Sequence, residues 1–181
     1  MTDKECVNAC ADRLRIDVRQ YRAGGGGHCP GFGDRAELEV LNVAAAAELP
    51  GSPVDVLVVG GPTHAFGLSR PRTRLDAARQ TDEPVETERG IREWLEAASA
   101  VPGRARAAAF GTKAGTPPWL PGSAARGIGK RLRALGHQLI DDPTDFLVHG
   151  TPAPLLEGEV GRARTWGERL AEAATARSTQ P

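Results

Sequence analysis

The sequence predicts an α/β fold: a doubly wound parallel sheet with helices on both faces. Three observations carry this. The run "VDVLVVGG" (54–61) is apolar almost throughout, broken by Asp55, as a strand buried on both faces must be. Segments with a helical apolar period alternate with short strand-like runs from residue 36 to 174. The chain has 181 residues, 40% of them hydrophobic, which suffices for one such core and falls short of two.

The elements follow in order. "AELEVLNV" (36–43) reads as a strand and "ELPGSP" (48–53) as a loop before the central run. "TERGIREWLEAA" (87–98) sets Ile91, Trp94, Leu95 and Ala98 at helical spacing. "RARAAAFG" (104–111) is a strand of small residues. "SAARGIGKRLRAL" (123–135) opens on Ser123 as N-cap and carries Ile128, Leu132 and Leu135 on one face. "HQLI" (137–140) is a further strand. "GEVGRARTWGERLAEAA" (158–174) is a closing helix with Val160, Ala163, Trp166 and Leu170 inward.

Lys+Arg and Asp+Glu balance at 23 each, which argues against a nucleic-acid partner and against a polybasic membrane contact. No apolar run approaches the roughly 20 residues of a spanning helix, and "MTDKECVNAC" is too polar for a signal peptide, so the expected location is cytoplasmic. Cys6, Cys10 and Cys29 with His28 offer four soft ligands, yet their spacing fits no zinc pattern and adjacent ligands strain a tetrahedral site. No metal site is expected. Nothing in the chain resembles a nucleophile–base pair, which removes support for hydrolase chemistry.

Ligands of such sheets sit at the carboxyl ends of the strands, where strand order reverses. Two loops belong there. "GGPTHAFGLSRPRTR" (60–74) brings glycines for close backbone approach, then a hydroxyl, an imidazole and an aromatic ring. "FGTKAGTPPWLPGSAARG" (110–127) brings Thr112, Lys113 and Trp119. Each has a plainer reading as well, the first as Gly-Gly-Pro turn punctuation and the second as a cover over the sheet end.

"DVLVVGGPTHAFGLSRPRTR", "AAAFGTK", "LPGSAARGIGKRLRALGHQLI" and "LLEGEVGRARTWGERLA", in that order and spacing, resemble the short bacterial flavodoxin family. The resemblance implies a flavodoxin-like sheet of order 2-1-3-4-5 holding FMN at the carboxyl edge, in an electron carrier with a redox partner protein. It implies that Gly61, Pro62, Thr63, His64, Ala65, Phe66 and Gly67 flank one side of the flavin. Phe110, Gly111, Thr112 and Lys113 would flank the other. "FGTK" stands where close relatives of the family carry Phe-Asp-Thr-Arg.

The front of the chain departs from the family. A first strand and a Ser/Thr-rich phosphate loop belong there, and the region reads "CADRLRIDVRQYRAGGGGHCPGFGD". "LRIDVRQY" (14–21) alternates Leu14, Ile16 and Val18 with charged Arg15, Asp17 and Arg19, a pattern unsuited to a central strand covered on both faces. The glycine run costs a helix about 1 kcal/mol per position against alanine. Asp17 to Arg22 can be encoded GAT-GTT-CGG-CAA-TAC-C, and one base later this reads Met-Phe-Gly-Asn-Thr, a phosphate-loop sequence. Residues 1–33 are therefore expected to be a disordered or frame-slipped segment, 34–174 the flavodoxin-like domain, and 175–181 a tail. The expected function is FMN-binding electron transfer with impaired cofactor binding. The alternative is a non-catalytic remnant, a binding module or a chain without function.

Overall fold

A computed structural model describes residues 16–19, 37–40, 43, 46, 55–80, 87–101, 105–115, 121–149 and 154–175. The three cysteines, His28, the glycine run, Trp119, the 48–53 loop and residues 176–181 lie outside them. In chain order the elements are β1 (Ile16–Arg19), β2 (Glu37–Val40), β3 (Leu57–His64), β4 (Gly67–Leu68), α1 (Pro71–Ala78), α2 (Ile91–Ala97), β5 (Arg106–Ala114), α3 (Ala124–Ala134), β6 (Gln138–Leu139), β7 (Thr144–Val148) and α4 (Glu159–Thr175).

Val56 through Val59 are at most 1% exposed, and β3 lies at the centre of the sheet as its apolar run requires. It pairs in parallel with β5, from Leu57 opposite Ala107 to Pro62 opposite Thr112. On the far flank of β5 lie β6, opposite Arg106 and Ala107, and β7, opposite Phe110 to Ala114. These two pieces occupy one strand position, interrupted by residues 140–143, where Pro143 removes a backbone donor. The order β2-β1-β3-β5-β6/β7 is the 2-1-3-4-5 order of flavodoxin-like sheets. The fold is α/β, with a sheet mainly parallel around β5.

Apart from the short β4, which folds back antiparallel on β3, the sheet departs from the all-parallel expectation at one position. The slot that the alternating pattern argued against holds β1, which runs antiparallel to both β2 and β3. It pairs with β3 only through Ile16–Val58 and Asp17–Leu57. So short a ladder does not demand the long apolar run of a buried central strand. Within the segment expected to stand apart, these four residues are therefore strand.

Helices cover both faces, as the sequence predicts. Strand alternation sends Arg106 and Phe110 to the face of α4. There Phe110 meets Phe146 and Trp166 with ring centroids 5.8–6.2 Å apart. The Arg106 guanidinium donates to the carbonyls of Ala173 and Ala174 at the end of α4, where cations are favoured. The opposite face carries α2 and α3, whose Trp94, Leu95, Ile128 and Leu132 are buried. The last helix runs to Thr175, one residue past its expected end.

Three elements were not evident from the sequence pattern. β4 completes a hairpin with β3, Thr63 opposite Leu68 and His64 opposite Gly67. β7 lies in a stretch with no strong alternation. α1 has no apolar stripe: its one buried side chain is Arg74. The available signal for α1 was Pro71 at the first helical position, which proline favours.

Candidate functional site

The carboxyl ends of β3 and β5 and the start of α3 converge at one edge of the sheet. The connection from β3 to β4 has only two residues, Ala65 and Phe66, at φ of 40° and 75°. Two-residue hairpins of type I′, whose twist matches the strands, need positive φ at both positions, which is why Asn-Gly is usual there. Here a bulky aromatic takes the second place, and its side chain is 61% exposed. Such strain persists only where surrounding structure holds it. The support is visible: Gly122, itself at φ 99°, lies so close that a Cβ there would be 2.3 Å from the Phe66 Cα.

Thr63 has its hydroxyl engaged. Its Oγ1 accepts a hydrogen bond of 3.0 Å from the Ala124 N–H, the first of α3, while Ser123 Oγ accepts from Arg126 N–H as the expected cap. Thr63 thereby ties the end of β3 to the start of α3. Pro62 and His64 are half-buried beside it. At Gly67 a Cβ would meet nothing within 4 Å, so the hairpin has open space on one side.

The glycines have packing reasons. A Cβ on Gly60 would lie 2.2 Å from the Phe110 ring, and one on Gly61 would lie 2.6 Å from Ile91 Cδ1. The close approach these residues permit is that of a ring and a helix. Gly111 is pressed equally hard: a Cβ there would be 2.7 Å from Asp145 Oδ1 and 2.9 Å from the Ala125 nitrogen.

Of the second set, Phe110 is 5% exposed and belongs to the aromatic cluster under α4. Thr112 is buried at 7%, and Lys113 is half-buried opposite Leu147 of β7. The structure thus brings Thr63, Phe66 and the α3 start together at the edge and turns Phe110 into the core. Asp145 was not singled out in the sequence. Its Oδ1 is buried with no hydrogen-bond partner among the described residues, beside the first turn of α3. The acid directly before the apolar Phe146, Leu147 and Val148 was the signal for it.

Set against FMN, the two halves of the site differ. The ring half fits: an exposed aromatic at the end of β3, with open space at Gly67. The phosphate half does not. A phosphate loop after the first strand must begin where β3 ends, yet β1 runs the other way, so its carboxyl end at Arg19 lies toward the edge where β3 begins. Among the described residues there is no cluster suited to a metal ion, and no helix is long and apolar enough to cross a membrane.

No protein-family model matches the chain, and no curated protein does. Among solved structures the chain is similar to a flavodoxin from the domain Archaea, at 19% identity and a TM-score of 0.41. The similarity covers 67% of this chain and 66% of that one.

Proposed function

We propose that this chain is a flavodoxin-like protein that takes a flavin by its ring and holds the phosphate of FMN poorly. The observation that carries the reading is the β3–β4 hairpin: an exposed Phe66 on strained backbone, at the carboxyl edge of the central strand. A bound flavin would supply one- and two-electron redox chemistry. The chain's own share is to position and shield the ring. Phe66 and the edge residues Pro62, His64 and Gly67 would flank it on one side, and the β5 end at Gly111, Thr112 and Lys113 on the other. Phe110 would support that edge from beneath.

Magnitude decides the affinity. Charge-assisted hydrogen bonds to a phosphate contribute about 1.5–3 kcal/mol each. Losing three forfeits on the order of 4–9 kcal/mol, or roughly three to six decades of affinity. The chain should bind FMN weakly and barely distinguish it from riboflavin, which lacks the phosphate. Titration with both ligands, followed by quenching of flavin fluorescence, checks this. Tight FMN binding with rejection of riboflavin would show a working phosphate cradle in the glycine run. Binding of neither favours the second reading, a remnant without cofactor, to which the reversed β1 lends weight.

A further inference from the structure

The starts of α1 and α3 are electrostatically odd. Acidic side chains are favoured in a helix's first turn and cations are not, because the N-terminus carries partial positive charge. The helices α2 and α4 obey, with Glu93 and Glu159 there. Neither α1 nor α3 has an acid in its first turn. Instead Arg70 caps α1, Arg72 follows in its first turn, and Arg126 occupies the first turn of α3 with Lys130 one turn on. All four are exposed, with no carboxylate partner among the described residues.

These two helix starts meet at the β3–β4 hairpin. Gly122 abuts the Phe66 backbone just before α3 begins, and a Cβ on Gly127 would touch Leu68 of β4 at 3.4 Å. Arg70 follows Leu68 by two residues. Phe66, 61% exposed, thus lies beside the two helix starts that carry these four cations, with Leu75 of α1 also 48% exposed. The chain's net charge is zero, so the excess of cations over acids at these two helix starts is a local one.

We propose that this face docks an acidic partner protein, with Phe66 as the apolar anchor and Arg70, Arg72, Arg126 and Lys130 meeting its carboxylates. Interfaces place an aromatic or arginine anchor at the centre and complementary charge around it, and the charge sets encounter rate and partner choice. Nucleic acid is the poorer fit, since a neutral chain lacks the surplus charge that phosphate backbones reward. Phe66 is shared with the proposed flavin edge, but the docking does not require flavin, and its test uses none.

The probe is a short fluorescein-labelled peptide of glutamates and leucines, followed by anisotropy at low salt. Its lysine counterpart and a single-stranded oligothymidylate of equal charge serve as comparisons. The acidic peptide should bind, the lysine peptide should not, and added salt should weaken the complex. Arg70→Gln with Arg126→Gln should weaken it about tenfold, whereas Arg133→Gln, in the exposed last turn of α3, should leave it unchanged. Arg126→Gln should also raise the unfolding midpoint, because it removes a cation from a helix start. That separates lost docking from lost folding. Unchanged binding by the double variant, indifference to Phe66→Ser, or preference for the oligothymidylate would overturn the proposal.

Discussion

Ala65 and Phe66 sit at φ of 40° and 75°, where asparagine and glycine are at ease and an alanine or phenylalanine is not. Each such residue costs on the order of 1 kcal/mol or more. Replacing the pair by Ala65→Asn and Phe66→Gly should raise stability by about 1 kcal/mol, less than the summed strain because glycine also enlarges the unfolded ensemble. The same change should abolish whatever affinity the exposed ring provides. Urea unfolding alongside riboflavin titration checks both halves, and a stability loss would mean the ring packs more than its exposure suggests. The sequence located these residues at the end of a strand but gave no sign of their directions. Thr63 finds its partner at Ala124, and Gly60 and Gly61 find theirs at Phe110 and Ile91. Contacts that distant in the chain leave no trace in local periodicity.

At the scale of elements, the apolar periods of β3, β5, α3 and α4 made those elements legible, although β3 runs from 57 to 64 rather than 54 to 61. Of the elements that escaped, α1 is held by polar contacts. The helix α1 is anchored through Arg74, 4% exposed, which donates to Glu93 Oε2 at 3.1 Å, to Ser69 Oγ, and to the carbonyls of Thr87 and Glu88. A Cβ on Gly90 would collide with its guanidinium, so the clamp also explains that glycine. Burial pushes the Glu93 carboxyl up, but the Gly90 N–H, its own N–H and Arg74 together hold it below the usual range. Arg74→Met should cost about 3 kcal/mol, the scale for breaking a mostly buried ion pair from one side. A fall in the urea midpoint with unchanged slope would report it, and a midpoint within error of the parent would dismiss the clamp. The reversal of β1 was equally illegible, because alternation of side chains says which face a residue takes and nothing about which way the strand points.

For the molecule as a whole, His137 links stability to acidity. It is 7% exposed between α3 and β6, and among the described residues neither ring nitrogen makes a well-formed hydrogen bond, the Ala105 backbone offering only a weak interaction. Burial pushes its pKa below 6.5, with the Ala105 backbone pulling the other way. The unfolded chain therefore takes up the proton first. The stability owed to the neutral ring is present above 6.5 and is lost as pH falls from there through the lower folded value. Thermal midpoints should decline over that range, and His137→Phe should flatten the decline while raising stability at neutral pH by about 1 kcal/mol. An undiminished slope in the variant would assign the acid sensitivity to other groups.

One further consequence lies in the time course of synthesis. β5 pairs with β3, β6 and β7, so the sheet cannot be assembled until it has been made. The apolar run of β3 ends at His64, and its parallel partner is complete only at Ala114. Translation at roughly 5–20 residues per second leaves an interval of roughly 3–10 s between the two. The hairpin and both intervening helices are local and can form meanwhile. Val56 to Val59, which end up without contact with water, spend that interval uncovered on the nascent chain. The same apolar strand that centres the finished sheet is thus, for several seconds, the stretch most apt to adhere to other emerging chains.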